Sequence, residues 1–153
     1  MNSTNTPNTT YKIGDYVVVR NDLIAGNNYA MTNDPAVTHP VTDDMLAFSA
    51  LVVRISSFDE NSNAYHIDHP VLDDNDTVWT DDMFMGTVSV NTATRILIGD
   101  IFESMRDVTD NALKKIRADE NGELTNNDLM SELTSIIYYG RELSKMTGIK
   151  VDA

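Results

Sequence analysis

A turn glycine followed by β-branched residues opens the folded part of this chain: Lys12-Ile13-Gly14-Asp15-Tyr16-Val17-Val18-Val19-Arg20. Glycine permits a tight turn and valine favours extended backbone, so this stretch predicts a strand entered through a tight loop. Residues 51–55 predict a second strand, residues 64–68 a third and residues 78–80 a short fourth. Strands at this spacing, joined by long polar links, predict a small β-barrel or sandwich.

After Asn91 the apolar residues recur every three or four positions, which is typical of an amphipathic helix. The first stripe comprises Leu97 or Ile98, Ile101, Met105, Val108, Ala112 and Ile116. Thr125 to Asp128 provide a capping sequence ahead of a second stripe, and Gly148 provides a stop. The second stripe comprises Leu129, Leu133, Ile136, Ile137 and Leu143. The pattern predicts an antiparallel helical hairpin over about 92–147, with its turn near Asn121-Gly122.

The predicted fold class is therefore α+β, with a β-barrel ahead of a helical hairpin. We expect residues 1–10 to be a disordered tail, because residues 2–9 are Asn, Ser, Thr and Pro with nothing to bury. Residues 11–90 should form the barrel and residues 91–153 the hairpin. Within residues 64–68 the alternation should direct Tyr65 and Ile67 away from the side that carries His66.

Composition bounds the class of protein. The 153 residues are 41% hydrophobic and 23% charged, as in folded soluble proteins. Cysteine is absent, which excludes disulfides and cysteine zinc sites and fits a reducing cytosol. The first ten residues lack the basic start and apolar stretch of a signal peptide, and no apolar run approaches the roughly 20 residues that cross a bilayer. The sequence thus predicts a cytoplasmic protein without a membrane partner.

Negative charge is concentrated in the first part of the chain. Residues 1–90 carry 13 Asp and Glu against 3 Lys and Arg, a net of −10, whereas residues 91–153 carry 11 against 8, a net of −3. Five of these acids fall in one decapeptide: Asp73-Asp74-Asn75-Asp76-Thr77-Val78-Trp79-Thr80-Asp81-Asp82. Such a surface repels nucleic acid and membranes and attracts proteins that normally hold phosphates. The charge therefore predicts an interaction protein that does not itself bind nucleic acid.

The opening and closing motifs of the first half resemble a known module. The opening is Tyr11-x-Ile13-Gly14-Asp15-x-Val17-x-Val19-Arg20-x-Asp22-Leu23, and the closing is Trp79-Thr80-Asp81-Asp82-Met83-Phe84. This pattern resembles an SH3-like small-barrel module of phage and prophage proteins from Gram-positive bacteria, over about half of the chain. Where relatives usually carry a glycine ahead of the second strand, this chain has Ala50. The resemblance implies a mobile-element origin and supplies no catalytic residues.

By analogy with acidic phage proteins that disarm host nucleases, we expect a phage-encoded inhibitor of a host defence nuclease. The target class would be a type II CRISPR effector, whose PAM-reading arginines could accept carboxylates in place of DNA. The candidate partner-binding residues are Asp73, Asp74, Asp76, Asp81 and Asp82, extended by Asp43, Asp44, Asp59 and Glu60. The alternative for these residues is an ordinary solvated surface.

Trp79 is the single tryptophan, and it would be either a contact anchor or, as we expect, part of the core. His66-x-Asp68-His69, with Asp73 and Asp74, contains ligand types for zinc or manganese, but His69 is already leaving the strand face that His66 and Asp68 share. No phosphate loop or nucleophile elbow is present. The sequence predicts no catalytic residues, no metal and no cofactor.

A competing hypothesis is a phage structural or adaptor protein that binds a protein partner through the barrel or the helical face. The helical stripes could instead pack on each other and on the barrel. The first helix is apolar over more than one stripe at Ile96, Leu97, Ile98, Ile101 and Phe102, and Tyr138-Tyr139 add a second wide face. A homodimer through the C-terminal helices therefore stays open.

Overall fold

The computed structural model describes residues 9–119 and 122–149. The chain divides into two compact units, Met1–Ala93 and Thr94–Ala153. The first is rich in strands and the second contains the two long helices, so the expected α+β class is confirmed. The expected tail lies outside the described residues except at Thr9 and Thr10.

β1 (Tyr16–Val19) lies inside a four-stranded antiparallel sheet of order β5-β4-β1-β6. Its partners are β4 (Val52–Asp59) and β6 (Phe84–Val88), and β5 (Ala64–Asp68) pairs with β4 on the other side. Val17 and Val19 are fully buried while Tyr16 and Val18 are partly exposed, as strand alternation requires. The predicted entry turn is present, because Gly14 has φ +94° and the Asp15 N–H donates to the Lys12 carbonyl over 3.0 Å.

A separate two-stranded sheet pairs β2 (Asn28–Met31) with β3 (Asp34–Pro40). Neither strand was predicted, nor was β6. The predicted strand 78–80 is reduced to one antiparallel bridge between Tyr65 and Trp79. Two 3₁₀ helices, Asp44–Phe48 and Asp81–Met83, complete this unit. Among the residues that the structure describes, no hydrogen-bond ladder closes the two sheets into a barrel.

Aromatic rings fill the centre of the first unit. Trp79 is fully buried, stacks on Phe84 with ring centroids 5.9 Å apart, and meets the edge of Phe48 at 5.7 Å. Tyr65 is also fully buried and Ile67 nearly so, whereas His66 on the other face is partly exposed. The expected core position of Trp79 and the expected alternation in β5 are both confirmed.

The second unit is an antiparallel pair of helices, α1 (Val90–Ala118) and α2 (Met130–Thr147). Lys115 Nζ near the end of α1 lies 2.7 Å from Glu132 Oε1 near the start of α2. The predicted capping sequence is used: both the N–H and the hydroxyl of Thr125 donate to the Asp128 carboxylate. Gly148 ends α2 with φ +71°, as predicted. Asn121 of the predicted turn lies outside the described residues.

Neither helix combines the length and apolarity that a membrane span requires, in the part of the chain that the structure describes.

Ala50 has φ +62°, the left-handed region in which glycine is favoured. Ala50→Gly should relieve about 1–2 kcal/mol of steric strain, less the entropy that glycine adds to the unfolded chain, for a net gain of about 0.5–1 kcal/mol. The control Ala36→Gly, at an exposed position of β3 without positive φ, should instead cost about 0.5–1 kcal/mol. Urea unfolding measures both, and equal effects of the two substitutions would contradict the assignment.

Acid should weaken the helical hairpin through Glu132. A hydrogen bond from Lys115 lowers the pKa of Glu132 from 4.5 to about 2. Because the pKa is lower in the folded state, this contribution is present above about pH 4.5 and is lost as pH falls toward 2. The stability difference between wild type and Glu132→Gln should therefore shrink between about pH 5 and 2 in melts followed by helical circular dichroism. With Glu123→Gln, an exposed control, no such change is expected.

Candidate acidic interaction surface

The acidic segment begins with a turn that its own residues favour. Asn75 and Asp76 have φ of 49° and 57°, and the Thr77 N–H donates to the Asp74 carbonyl over 2.9 Å. Two left-handed central residues and this hydrogen bond define a type I′ turn. Asparagine and aspartate tolerate the left-handed region better than other residues with side chains. The sequence therefore fixes the backbone on which the acids are carried.

Three candidate carboxylates belong to this turn and its approach. Asp73 and Asp76 are exposed and Asp74 is half-buried. Asp73 Oδ1 accepts the Asn75 N–H over 3.0 Å, and Asp74 Oδ1 accepts the Asp76 N–H over 3.2 Å, which holds both side chains against the backbone. Within the described chain none of the three has an ion-pair partner. Their charge is therefore not cancelled locally.

Asp81 has a different role from the one the sequence suggested. Its side chain is buried, with 5% of the residue exposed. One carboxylate oxygen accepts the Thr10 hydroxyl, and the other accepts the Thr32 N–H over 2.8 Å. Burial raises the pKa of Tyr11 and of Tyr65, and the nearby negative charge of Asp81 raises both further. Asp81 therefore joins distant segments inside the fold and is not available to a partner.

Asp82 is exposed, and it shares Arg20 with Asp22. Arg20 binds Asp22 through two hydrogen bonds, Nε to Oδ1 at 2.8 Å and Nη2 to Oδ2 at 2.9 Å, and its Nη1 lies 3.3 Å from Asp82 Oδ1. The pairing raises the pKa of Arg20 and lowers that of Asp22. Sequence reasoning missed this cluster, although Arg20-x-Asp22 was the available signal. Arg54 is similarly used by Asp68, at 3.4 Å.

Asp43 and Asp44 lie at the start of the 3₁₀ helix Asp44–Phe48, and both are exposed. The last residue of that helix, Phe48, meets the ring of His69 at 6.3 Å and that of Trp79 at 5.7 Å. His69 precedes the acidic turn and Trp79 follows it, so this packing holds the helix beside the base of the loop. We refer to the five carboxylates of these two segments that have no ion-pair partner in the described chain as the acidic loops: Asp43, Asp44, Asp73, Asp74 and Asp76.

Asp59 and Glu60 do not belong with the acidic loops. They lie in the hairpin that enters β5, whereas the acidic turn follows the other end of that strand, about 13 Å away for four residue steps. Asp59 also has a local role, because it accepts the Ser62 hydroxyl at 2.7 Å and the Asn61 N–H at 2.9 Å. The Ser62 hydrogen bond, followed by that from Asn61, lowers the pKa of Asp59.

The histidine motif forms part of a turn. His69 is buried, and its Nδ1 accepts the N–H groups of Val71 and Leu72 at 3.2 and 3.3 Å. His66 lies partly exposed on β5. Over residues 9–119 and 122–149, no group of three or more His, Asp or Glu is arranged to hold a metal ion.

Comparison with known proteins gives no relative: no family model, curated protein or solved structure matches the chain.

Replacing Asp81 should test its internal role. Asp81→Asn leaves one of the two donors, the Thr10 hydroxyl or the Thr32 N–H, facing an amide N–H₂, which should cost about 1–3 kcal/mol of unfolding free energy. Asp82→Asn removes an equal charge from the neighbouring exposed position and should cost no more than about 1 kcal/mol. Equal losses for the two variants in urea unfolding would contradict the role assigned to Asp81.

Proposed function

We propose that this protein inhibits a host enzyme that binds nucleic acid, by placing its acidic loops in the cationic DNA-binding site of that enzyme. The observation that carries the proposal is the set of five carboxylates in the acidic loops, which lack ion-pair partners in the described chain, whereas Asp22, Asp68 and Asp82 pair with Arg20 or Arg54. A type II CRISPR effector nuclease is the target class that the phage-module resemblance favours. The protein would act without catalysis of its own.

The chemistry of such a site suits carboxylates. Arginines that read DNA make two parallel hydrogen bonds to phosphate or base acceptors, and a carboxylate offers the same pair of acceptor oxygens. The type I′ turn presents its acids on a fixed backbone, which limits the ordering cost of binding. Direct binding to DNA is opposed by the net charge of −10 over residues 1–90.

The proposed contact set is smaller than the sequence suggested. Asp43, Asp44, Asp73, Asp74 and Asp76 remain, while Asp81 and Asp82 serve the fold. Asp59 and Glu60 lie at the other end of β5 and would make at most separate contacts. The proposal retains an SH3-like small barrel as its scaffold, which is supported by the pairing of β1 with β6 and the bridge between Tyr65 and Trp79.

The test is inhibition of a guide-loaded type II effector across a salt series. The wild-type protein should reduce DNA binding and cleavage, excess DNA should restore them, and the inhibition should weaken steeply as salt rises. The triple variant Asp73→Asn, Asp74→Asn and Asp76→Asn should weaken inhibition by about tenfold or more, since close charge pairs across interfaces contribute about 1.5 kcal/mol or more each. Asparagine preserves the left-handed turn, so the loop should keep its shape.

A matched control separates local from overall charge. Glu103→Gln, Asp107→Asn and Asp110→Asn remove the same three charges from exposed positions of α1. Inhibition should be nearly unchanged. Equal weakening by both triple variants would leave only a general charge effect and count against the acidic loops. No inhibition by the wild type would reject this target class and favour the adaptor hypothesis.

A further inference from the structure

The helical hairpin has one side that is open and apolar. Six large apolar side chains, three on each helix, are 39–58% exposed: Phe102, Leu113, Ile116, Met130, Leu133 and Ile137. α2 has no buried residue along its described length. When two helices pack on each other, each buries one of its apolar stripes. These six side chains lie outside the stripes that α1 and α2 bury against each other, so they stay exposed.

The six side chains share one side of the hairpin. At 3.6 residues per turn, the three on α1 fall within an arc of about 60°, and the three on α2 within another arc of about 60°. Phe102 of α1 and Ser144 of α2 both line a recess of about 180 Å³. Ser144 lies at the same helical angle as the α2 apolar residues, so the recess shows that the two arcs face the same side of the hairpin. Ile98, Leu143, Thr147 and Ile149 complete the lining.

Basic residues border this apolar side along both helices. By the same helical angles, the α1 border carries Arg95, Arg106 and Arg117, and the α2 border carries Arg141 and Lys145. Of the α1 acids, Asp110 lies just outside this border, about 20° beyond Arg117, and Glu103, Asp107 and Asp100 lie further round the helix. Arg106 and Lys145 also contact Asp107 and Glu142 in exposed pairs, which contribute little and are readily exchanged.

The opposite side of the hairpin is mixed in character. By the same helical angles it carries Ser104 and Asn111 beside buried Ala93 and Leu97 on α1, and Ser131, Ser135 and Glu142 beside partly buried Tyr139 and Met146 on α2. Half-exposure of the six apolar side chains corresponds to roughly 200–350 Å² of open apolar surface. Patches of that order on soluble proteins are often binding sites, particularly when polar residues rim them.

We propose that this side of the hairpin binds an acidic amphipathic helix of a partner protein. An apolar stripe on that helix would lie along the six side chains, with one ring-sized side chain in the recess, since a cavity of about 150 Å³ accepts a benzene-sized group. Asp and Glu flanking the stripe would meet the five basic residues. Charge complementarity selects this occupant.

Other occupants fit the charges less well. A second copy packed through the same side would place basic border against basic border, which costs specificity and affinity. An anionic membrane or nucleic acid extends well beyond the hairpin and would meet the net charge of −10 over residues 1–90, whereas a short helix interacts mainly with charges within the screening length of about 10 Å. The inference uses none of the acidic loops, so it stands or fails separately from the proposed inhibition.

Three labelled 18-residue helical peptides test the proposal by fluorescence anisotropy with the full-length protein. The first peptide carries a stripe of Leu and Phe flanked by Glu. The second carries the same stripe flanked by Lys. The third keeps the Glu flanks but has Ala in place of the Leu and Phe stripe. The Glu-flanked apolar peptide should bind about tenfold more tightly than the Lys-flanked peptide, and the Ala peptide should not bind. Equal binding of the first two peptides, or binding of neither, overturns the proposal.

Substitutions then locate the site. Arg106→Glu with Arg141→Glu should weaken binding of the Glu-flanked peptide by about tenfold. The same charge change by Lys12→Glu, outside the hairpin, with Lys114→Glu, about 100° round α1 from the apolar arc, should not. Leu133→Ser should weaken it with circular dichroism unchanged. Equal loss in both double variants overturns the assignment.

Two measurements address the other occupants. If the wild type sediments as a dimer and Leu133→Ser sediments as a monomer, this side of the hairpin binds a second copy of the chain. Co-sedimentation with vesicles of phosphatidylcholine and phosphatidylserine, lost on Arg106→Glu with Arg141→Glu, would assign it to lipid. Either result overturns the peptide proposal, whereas a monomer that ignores vesicles and binds the Glu-flanked peptide supports it.

Discussion

The antiparallel bridge between Tyr65 and Trp79 is the constraint on which the acidic surface depends. Each residue's N–H donates to the other's carbonyl, over 2.8 and 2.9 Å, and both side chains are fully buried among aromatic rings. The bridge fixes the chain on both sides of the acidic turn, so the eight residues between Asp68 and Thr77 form a loop that begins at the buried His69 and carries the acidic turn. Phe48 packs on the same tryptophan and thereby sets the position of the 3₁₀ helix that begins with Asp44.

Asp81 and Asp82 have different environments because the backbone turns between them. Asp81 and Asp82 are neighbours in sequence, yet the 3₁₀ helix Asp81–Met83 directs the first inward, to the Thr32 N–H, and leaves the second outside near Arg20. A count of charges treats the two alike. Burial and local bonding partners, and not the overall excess of acid, separate the structural carboxylates from the exposed ones.

The sequence predicted those elements whose signals are local. β1, β4, β5 and both helices were found because β-branched runs and three-to-four spacing depend on nearby residues, and Gly148 was found because helix ends favour glycine. β2 and β3 were missed because Asn28–Met31 is short and has no β-branched residue, and Asp34–Pro40 contains two prolines, so that only their pairing makes them strands. The burial of Asp81 was likewise hidden, since its partners Thr10 and Thr32 are about 50 or more residues distant. The open apolar side of the hairpin could not be located from the sequence alone, because that required knowing how the two helices are oriented about the recess they line.

The left-handed pair Asn75 and Asp76 has a consequence for how the surface can vary over generations. Few side chains tolerate that conformation, and among those that do, aspartate is acidic while asparagine and glycine are neutral. A single nucleotide substitution can exchange aspartate and asparagine. At either position this changes the charge of the loop by one unit and leaves its backbone in place. The turn separates shape from charge, so selection can adjust the strength of the acidic surface without first rebuilding the fold that carries it.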